Sequence, residues 1–197
     1  MKISAAMVKE LWTLTGAGVL DCRNALVETE GDLGKAAKIL REQGALEAEK
    51  RRERETNEGV VASYIHGGGR IGAMVEVNCE TDFVAATEQF GTLVKELTMQ
   101  IAATDPQYVA REDIPAEVVA AQEAQFRADP DTANKPAHIL ERIISGKMEK
   151  FYTEACLLEQ SYIRDPDISV KELVDRVNAA LGENIVIRRF VRFALGE

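Results

Sequence analysis

Histidine, cysteine and tryptophan are scarce in this chain, with two, three and one among 197 residues. Each scarcity removes a class of chemistry. Cys22, Cys79 and Cys156 are odd in number, widely spaced and never part of a CxxC pair. The sequence therefore offers neither a disulfide framework nor a zinc site, and it fits a reducing compartment. Nucleophilic catalysis would need one of these thiols beside His66 or His138, yet no nucleophile motif surrounds any of them. The expectation is a protein that is not an enzyme and carries no cofactor or metal.

Long apolar runs are missing as well. No stretch approaches the roughly 18 residues of a membrane span, and the N-terminus lacks the apolar core of a signal peptide. That predicts a cytoplasmic protein with no membrane partner. Positive charge is in deficit: 24 Lys and Arg face 33 Asp and Glu, for a formal net charge of -9. Direct nucleic-acid binding through phosphate neutralisation needs clustered basic residues. The densest basic stretch, Lys50 to Arg54, is interleaved with Glu49, Glu53 and Glu55, as in a solvated helix face or linker. A protein is the expected partner.

What is present is an ordinary globular composition, 46% hydrophobic and 29% charged, long enough for one or two cores. Residues 4 to 44 read as three short helices. Ser4 caps the first, and Met7, Val8, Leu11, Trp12 and Thr15 recur at helical spacing until Gly16-Ala17-Gly18. A second carries Val19, Cys22, Ala25 and Leu26 and ends near Gly31. A third carries Leu33, Ala36, Ala37 and Leu40, with Gly44 expected to close it. Ala45 to Glu58 is almost wholly polar, a charged helix or a linker, and marks a boundary.

Beyond it the period changes. Val60 to His66 is strand-like. Arg70 to Cys79 alternates, with Ile71, Ala73, Val75, Val77 and Cys79 on one face. Gly67-Gly68-Gly69 between them leads into a strand and lacks a following Lys-Ser/Thr, so it predicts a hairpin turn and not a phosphate cradle. Thr81 or Asp82 caps a helix expected to run to about Ala103, with Val84, Thr87, Phe90, Val94, Leu97 and Ile101 buried. Helices follow around Ala116 to Ala128 and Ala137 to Tyr152, joined by a loop from Asp129 to Pro136. A third strand is expected over Cys156 to Tyr162, a helix over Val170 to Leu181, and a last strand over Asn184 to Ala194. In that last strand Ile185, Ile187, Val191 and Phe193 share a face. The order predicts an α+β fold, three helices followed by a small antiparallel sheet packed by helices.

Two stretches carry a resemblance. LWTLTGAGVLDCRNAL, Leu11 to Leu26, and EVNCETDFVA, Glu76 to Ala85, resemble the two signatures of the elongation factor Ts family. Trp12 and Arg23 stand where the family usually has Arg and Lys, and Ala86 where it is usually basic. The likeness extends through KPAHILERIISGKMEKF, Lys135 to Phe151, to IVIRRFVRFALGE at the end.

The resemblance implies a ubiquitin-associated-like domain over residues 1–45, a charged helix or linker over 46–58, and an α+β core over 59–197. It implies a translation factor that binds elongation factor Tu with GDP, disturbs its Mg²⁺ and phosphate site, and promotes GDP release so that GTP can bind. Asp82, Phe83, Val84 and Ala85 would enter beside the second switch region. Thr15, Gly16, Ala17, Gly18, Val19, Leu20, Asp21 and Arg23 would dock the N-terminal module, and His138 would touch another domain of the partner. The length matches the short form of the family, a homodimer paired through its sheets. Val191 stands where some short members have Cys, so no disulfide is expected there.

A magnitude limits this picture. Accelerating release by ~10⁴-fold requires about 5.5 kcal/mol at the barrier, whereas one buried phenylalanine contributes only ~1.5–3 kcal/mol. Phe83 therefore needs a second anchor, which the N-terminal module supplies. A competing reading is an adaptor whose module binds another chain while the core only dimerises. That reading calls for a Phe83 buried in its own subunit.

Overall fold

Ser4 starts the first helix in the computed structural model, which describes residues 3–51, 53–129 and 136–197. Its hydroxyl accepts from the Met7 amide at 3.3 Å. Helix α1 (Ala5–Thr15) then runs until Gly16 takes a left-handed φ of 69° and donates its N–H to the Trp12 carbonyl. With α2 (Val19–Glu28) and α3 (Leu33–Arg51), α1 closes around Leu11, Cys22, Leu26, Ala36 and Leu40. Trp12 and Val19, which recur at helical spacing with these core residues, are exposed. Trp12 follows Leu11 by one residue, about 100° around the helix, which carries the indole off the buried stripe.

Gly44 does not close α3, which continues to Arg51. A glycine inside a helix costs about 1 kcal/mol relative to alanine, and the residues after it are Ala, Leu, Glu and Lys, all good helix formers. The charged-helix alternative thus holds as far as Arg51.

The hairpin forms as expected. β1 (Glu58–His66) and β2 (Ile71–Cys79) are antiparallel, and Gly67, Gly68 and Gly69 all take positive φ, a region closed to most side chains. β3 (Ser161–Tyr162) and β4 (Asp165–Ser169) make a separate two-stranded sheet, and β5 (Val186–Ala194) joins the hairpin in the order β1-β2-β5. The strand expected over Cys156 to Tyr162 therefore reduces to Ser161 and Tyr162. Upstream of them, Leu157–Glu159 is a 3₁₀ turn, and the Leu157 and Leu158 amides donate to the Tyr108 and Val109 carbonyls. A short apolar run is buried here without pairing in the main sheet, a case that periodicity does not separate from a strand.

One face of the main sheet is covered by helices. Helix α4 (Asp82–Ala85) leads from β2 to α5 (Glu88–Thr104). Two further helices, α6 (Ala116–Ala128) and α7 (Ala137–Ala155), precede α8 (Val170–Leu181). Val75, Val77, Phe90, Leu97, Val174 and Ile187 belong to one buried cluster under that face. Of the loop expected between α6 and α7, residues 130–135 lie outside the described residues. Arg111 braces this part of the core: it pairs with Glu149 at 2.7 Å and with Glu159, and its guanidinium stands over the Tyr152 ring at 4.4 Å.

β5 departs from its expected faces. Val77 pairs with Ile187 but Glu76 pairs with Arg189, so one extra residue enters the strand there. A bulge of one residue inverts the alternation beyond it. Phe190 packs against the core, while Val191 and Phe193 turn to the outer face. Arg192 turns inward and donates to the Ala102 carbonyl near the end of α5 at 3.3 Å, where a cation suits the helix dipole.

Candidate functional site

The segment after β2 is built from threonines. Thr81 is extended, and its hydroxyl accepts from the Val84 amide at 3.3 Å, so Thr81 is the cap and Asp82 the first helical residue. Six residues after Thr81, Thr87 repeats the device. Its hydroxyl donates to the Val84 carbonyl at 2.8 Å and accepts from the Phe90 amide at 3.2 Å. The single helix expected from residue 81 to Ala103 is therefore two, and Thr87 is a cap and not part of a buried stripe. A threonine hydroxyl competes with the helix ladder for backbone groups, which is how one turn is detached from α5.

That detached turn divides the four expected contact residues. Val84 is 9% exposed and Ala85 packs against the core, so both hold the turn down. Asp82 is exposed, and Phe83 is 82% exposed. An exposed apolar residue is common on protein surfaces. Here, however, a ring worth ~1.5–3 kcal/mol of burial stands on a turn capped at both ends.

The strand-to-helix junction is tied to a distant part of the chain. Glu183 accepts from the Glu80 and Thr81 amides at 3.2 and 3.1 Å and from the Thr81 hydroxyl at 2.6 Å. Glu80 in turn accepts from the Asn184 amide at 2.7 Å and pairs with Arg54 at 3.4 Å. Nothing local in the sequence singles out Glu183. Its partners lie about a hundred positions upstream.

The N-terminal residues separate into layers. Thr15 is buried: its hydroxyl donates to the Leu11 carbonyl at 2.8 Å and accepts from the Ala17 amide at 3.3 Å. Gly16 faces α8, where an added Cβ would lie 3.5 Å from the Arg176 carbonyl. Ala17 packs on the module's core. Gly18, Asp21 and Arg23 are exposed, and Val19 and Leu20 are the most open apolar pair on the module, at 64% and 65%. This patch and the Phe83 turn belong to separate packing clusters. His138 is exposed in the first turn of α7.

The outer face of the main sheet forms a third patch. Ile65, Gly72 and Phe193 stand side by side in register, as do Ser63, Met74 and Val191. With Val61 and Leu195, the large side chains of this face are exposed.

The thiols are all buried. Burial raises the pKa of Cys22 and Cys79 and pushes Cys156 up to about 11, opposite to the lowering that activates a nucleophile. His66 accepts or donates at Nδ1 with the Tyr64 hydroxyl, 2.8 Å away. Among the described residues no group of three or more His, Cys, Asp or Glu is placed to hold a metal ion, and no helix is long and apolar enough to cross a membrane.

Comparison with known proteins bears on this geometry. A family profile described as Elongation factor TS matches residues 23–197. The chain belongs to the elongation factor Ts family. It is 57% identical over 195 residues to elongation factor Ts of Caldanaerobacter subterraneus, covering 99% of this chain and 98% of that protein. The corresponding protein of Thermoanaerobacter pseudethanolicus is 55% identical over 195 residues, with 99% and 96% covered. That of Geobacter sulfurreducens is 49% identical over 197 residues, with 100% and 91% covered. The likeness to elongation factor Ts thus extends over both the helical module and the sheet-bearing core.

Proposed function

We propose that this protein is the guanine-nucleotide exchange factor of elongation factor Tu, binding its GDP form and promoting GDP release in the cytoplasm, without chemical catalysis and without direct contact to nucleic acid. The observation that carries the reading is Phe83, a ring held out from its own core on a capped turn, with Asp82 beside it. Val84 and Ala85 anchor that turn.

Linkage supplies the mechanism. A factor that binds the nucleotide-free GTPase more tightly than the nucleotide-bound form weakens nucleotide binding by the same ratio. The Asp82–Phe83 turn disturbs the groups around Mg²⁺ and phosphate, while the module of residues 1–45 docks on the GTPase domain through Val19, Leu20 and their neighbours. Residues 46–58 connect that module to the core of residues 59–197. Thr15, Gly16 and Ala17 shape the docking turn from within, and His138 supplies a further contact. Two copies pair through the apolar outer face of the sheet, where Met74, Val191 and Phe193 are exposed.

The adaptor reading calls for Phe83 packed inside its own subunit, and its ring is instead exposed. The test is stopped-flow release of a fluorescent GDP analogue from elongation factor Tu. Release accelerated by substoichiometric amounts of this protein supports the reading, and an unchanged rate overturns it.

A further inference from the structure

We infer that Glu183 is a positioning residue for nucleotide release, holding the junction that presents Asp82 and Phe83. The inference rests on the exchange-factor reading above and concerns how the working turn is kept in place.

The geometry is specific. Helix α8 ends at Gly182, whose φ of 73° turns the chain, and the next residue reaches the exit of β2. All three hydrogen bonds to the Glu183 carboxylate come from residues 80 and 81. They satisfy two backbone amides that neither the sheet nor α4 uses, and they fix the Thr81 hydroxyl with its lone pair toward the Val84 amide. Hydrogen bonds to a carboxylate are shorter and stronger than neutral ones. Asn184 and Glu80 add a reciprocal bond beside them.

Phe83 itself has almost no contact with its own core to define its direction. Its orientation follows from the turn, and the turn's entry follows from Glu183. The far side of the same helix supports the other docking element. Gly16 of the module lies against the Arg176 carbonyl and Ala180, and Glu172, Asp175 and Arg176 line one wall of a cavity of about 600 Å³ whose other wall includes Leu14 and Arg41. One helix thus carries the module on its flank and the Phe83 turn at its end. Loosening Glu183 frees the wedge while leaving the module's docking surface intact.

The test measures GDP-analogue release from elongation factor Tu against concentration of the full-length factor. For Glu183→Ala the maximal release rate falls about tenfold, a loss equivalent to about 1.4 kcal/mol at the barrier, while the half-saturating concentration stays within about twofold. Glu183→Gln keeps a carbonyl to accept the two amides and restores most of the maximal rate. Hydrogen exchange over residues 80–86 quickens in Glu183→Ala and not over residues 11–26.

An unchanged maximal rate in Glu183→Ala overturns the inference, as does a loss confined to the half-saturating concentration or a Gln variant no better than Ala. If Glu183→Ala does not fold, Glu183→Ser, too short to reach the Glu80 and Thr81 amides, takes its place; a full maximal rate there overturns the inference equally. If the unaltered protein fails to accelerate release, the exchange-factor reading falls by itself. Equal exchange of residues 80–86 in Glu183→Ala and the unaltered protein would then count against the clamp independently.

Discussion

Phe83 and Val84 are neighbours in sequence, about 100° apart around one helical turn, with the valine 9% exposed and the phenylalanine 82%. Thr81 and Thr87 bracket that turn by hydrogen bonds to Val84 on both its N–H and its carbonyl. Four residues are too few to form a stable helix unaided, so the turn persists through its caps and its single buried side chain. The exposed ring is consequently a fixed feature of the surface.

Replacing Phe83 by alanine should cost little stability, within about 0.5 kcal/mol for an exposed position, while lowering the maximal rate of GDP release by an order of magnitude or more. Val84→Ala should do the reverse in the first instance, destabilising the fold by ~1–3 kcal/mol through lost burial. Thermal melts and stopped-flow release, measured on both variants, separate the two effects. Equal activity of Phe83→Ala and the unaltered protein would remove the wedge from the mechanism.

The module patch makes a different demand. Val19→Ser with Leu20→Ser should raise the half-saturating concentration for GDP release about tenfold, corresponding to roughly 1.4 kcal/mol of lost binding, and should leave the maximal rate nearly intact. A fall in maximal rate at unchanged half-saturation would contradict the assignment of this module as an anchor.

The outer sheet face predicts the assembly. Light scattering at micromolar concentration should report twice the chain mass, and Phe193→Asp should shift the protein to monomer, since a carboxylate in an apolar interface is costly unless paired. The substitution adds no burden to the isolated subunit, where Phe193 is exposed. A monomer before substitution would show that this face serves something else.

Alkaline pH should unfold the protein partly through Cys156. Burial lifts its thiol from 9.0 to about 11, so the folded state holds the proton more tightly than the unfolded chain. The stability this confers is complete below pH 9 and is lost as pH rises toward about 11. Tyr162, pushed up from 10.0 to about 12 by burial and by its hydrogen bond to Glu96, continues the decline. Urea midpoints between pH 8 and 11 should fall, and Cys156→Ala should flatten the first part of that fall. A midpoint independent of pH over this range would refute the assignment.

Several elements were readable from local pattern because local chemistry decides them. Ser4, the glycine hairpin and the helix ending at Gly182 each depend on residues within one turn of one another. The corrections do not all share that local cause. The helix after Thr81 breaks because Thr87 offers its hydroxyl to the backbone, and the outward turn of Phe193 follows from a bulge set by the pairing of β5 with β2. The Cys156–Tyr162 run has a strand's composition, but its Leu157 and Leu158 amides are taken by the Tyr108 and Val109 carbonyls. Pairing with partners distant in sequence settled the last two outcomes, whereas Thr87 acts on residues only three positions away.

For the working turn, the sequence by itself determined the residue types: a threonine cap, an acid, an aromatic and an apolar anchor in the order Thr81 to Val84, within a stretch specific enough to name its family. Only the tertiary structure decided which of them faces outward and what steadies them. Val84 finds a core to enter, Phe83 does not, and Glu183 reaches the Glu80 and Thr81 amides from the end of α8. The physical reason is range. Caps and turns are satisfied by neighbours along the chain, whereas burial and carboxylate clamps depend on groups that only folding brings together.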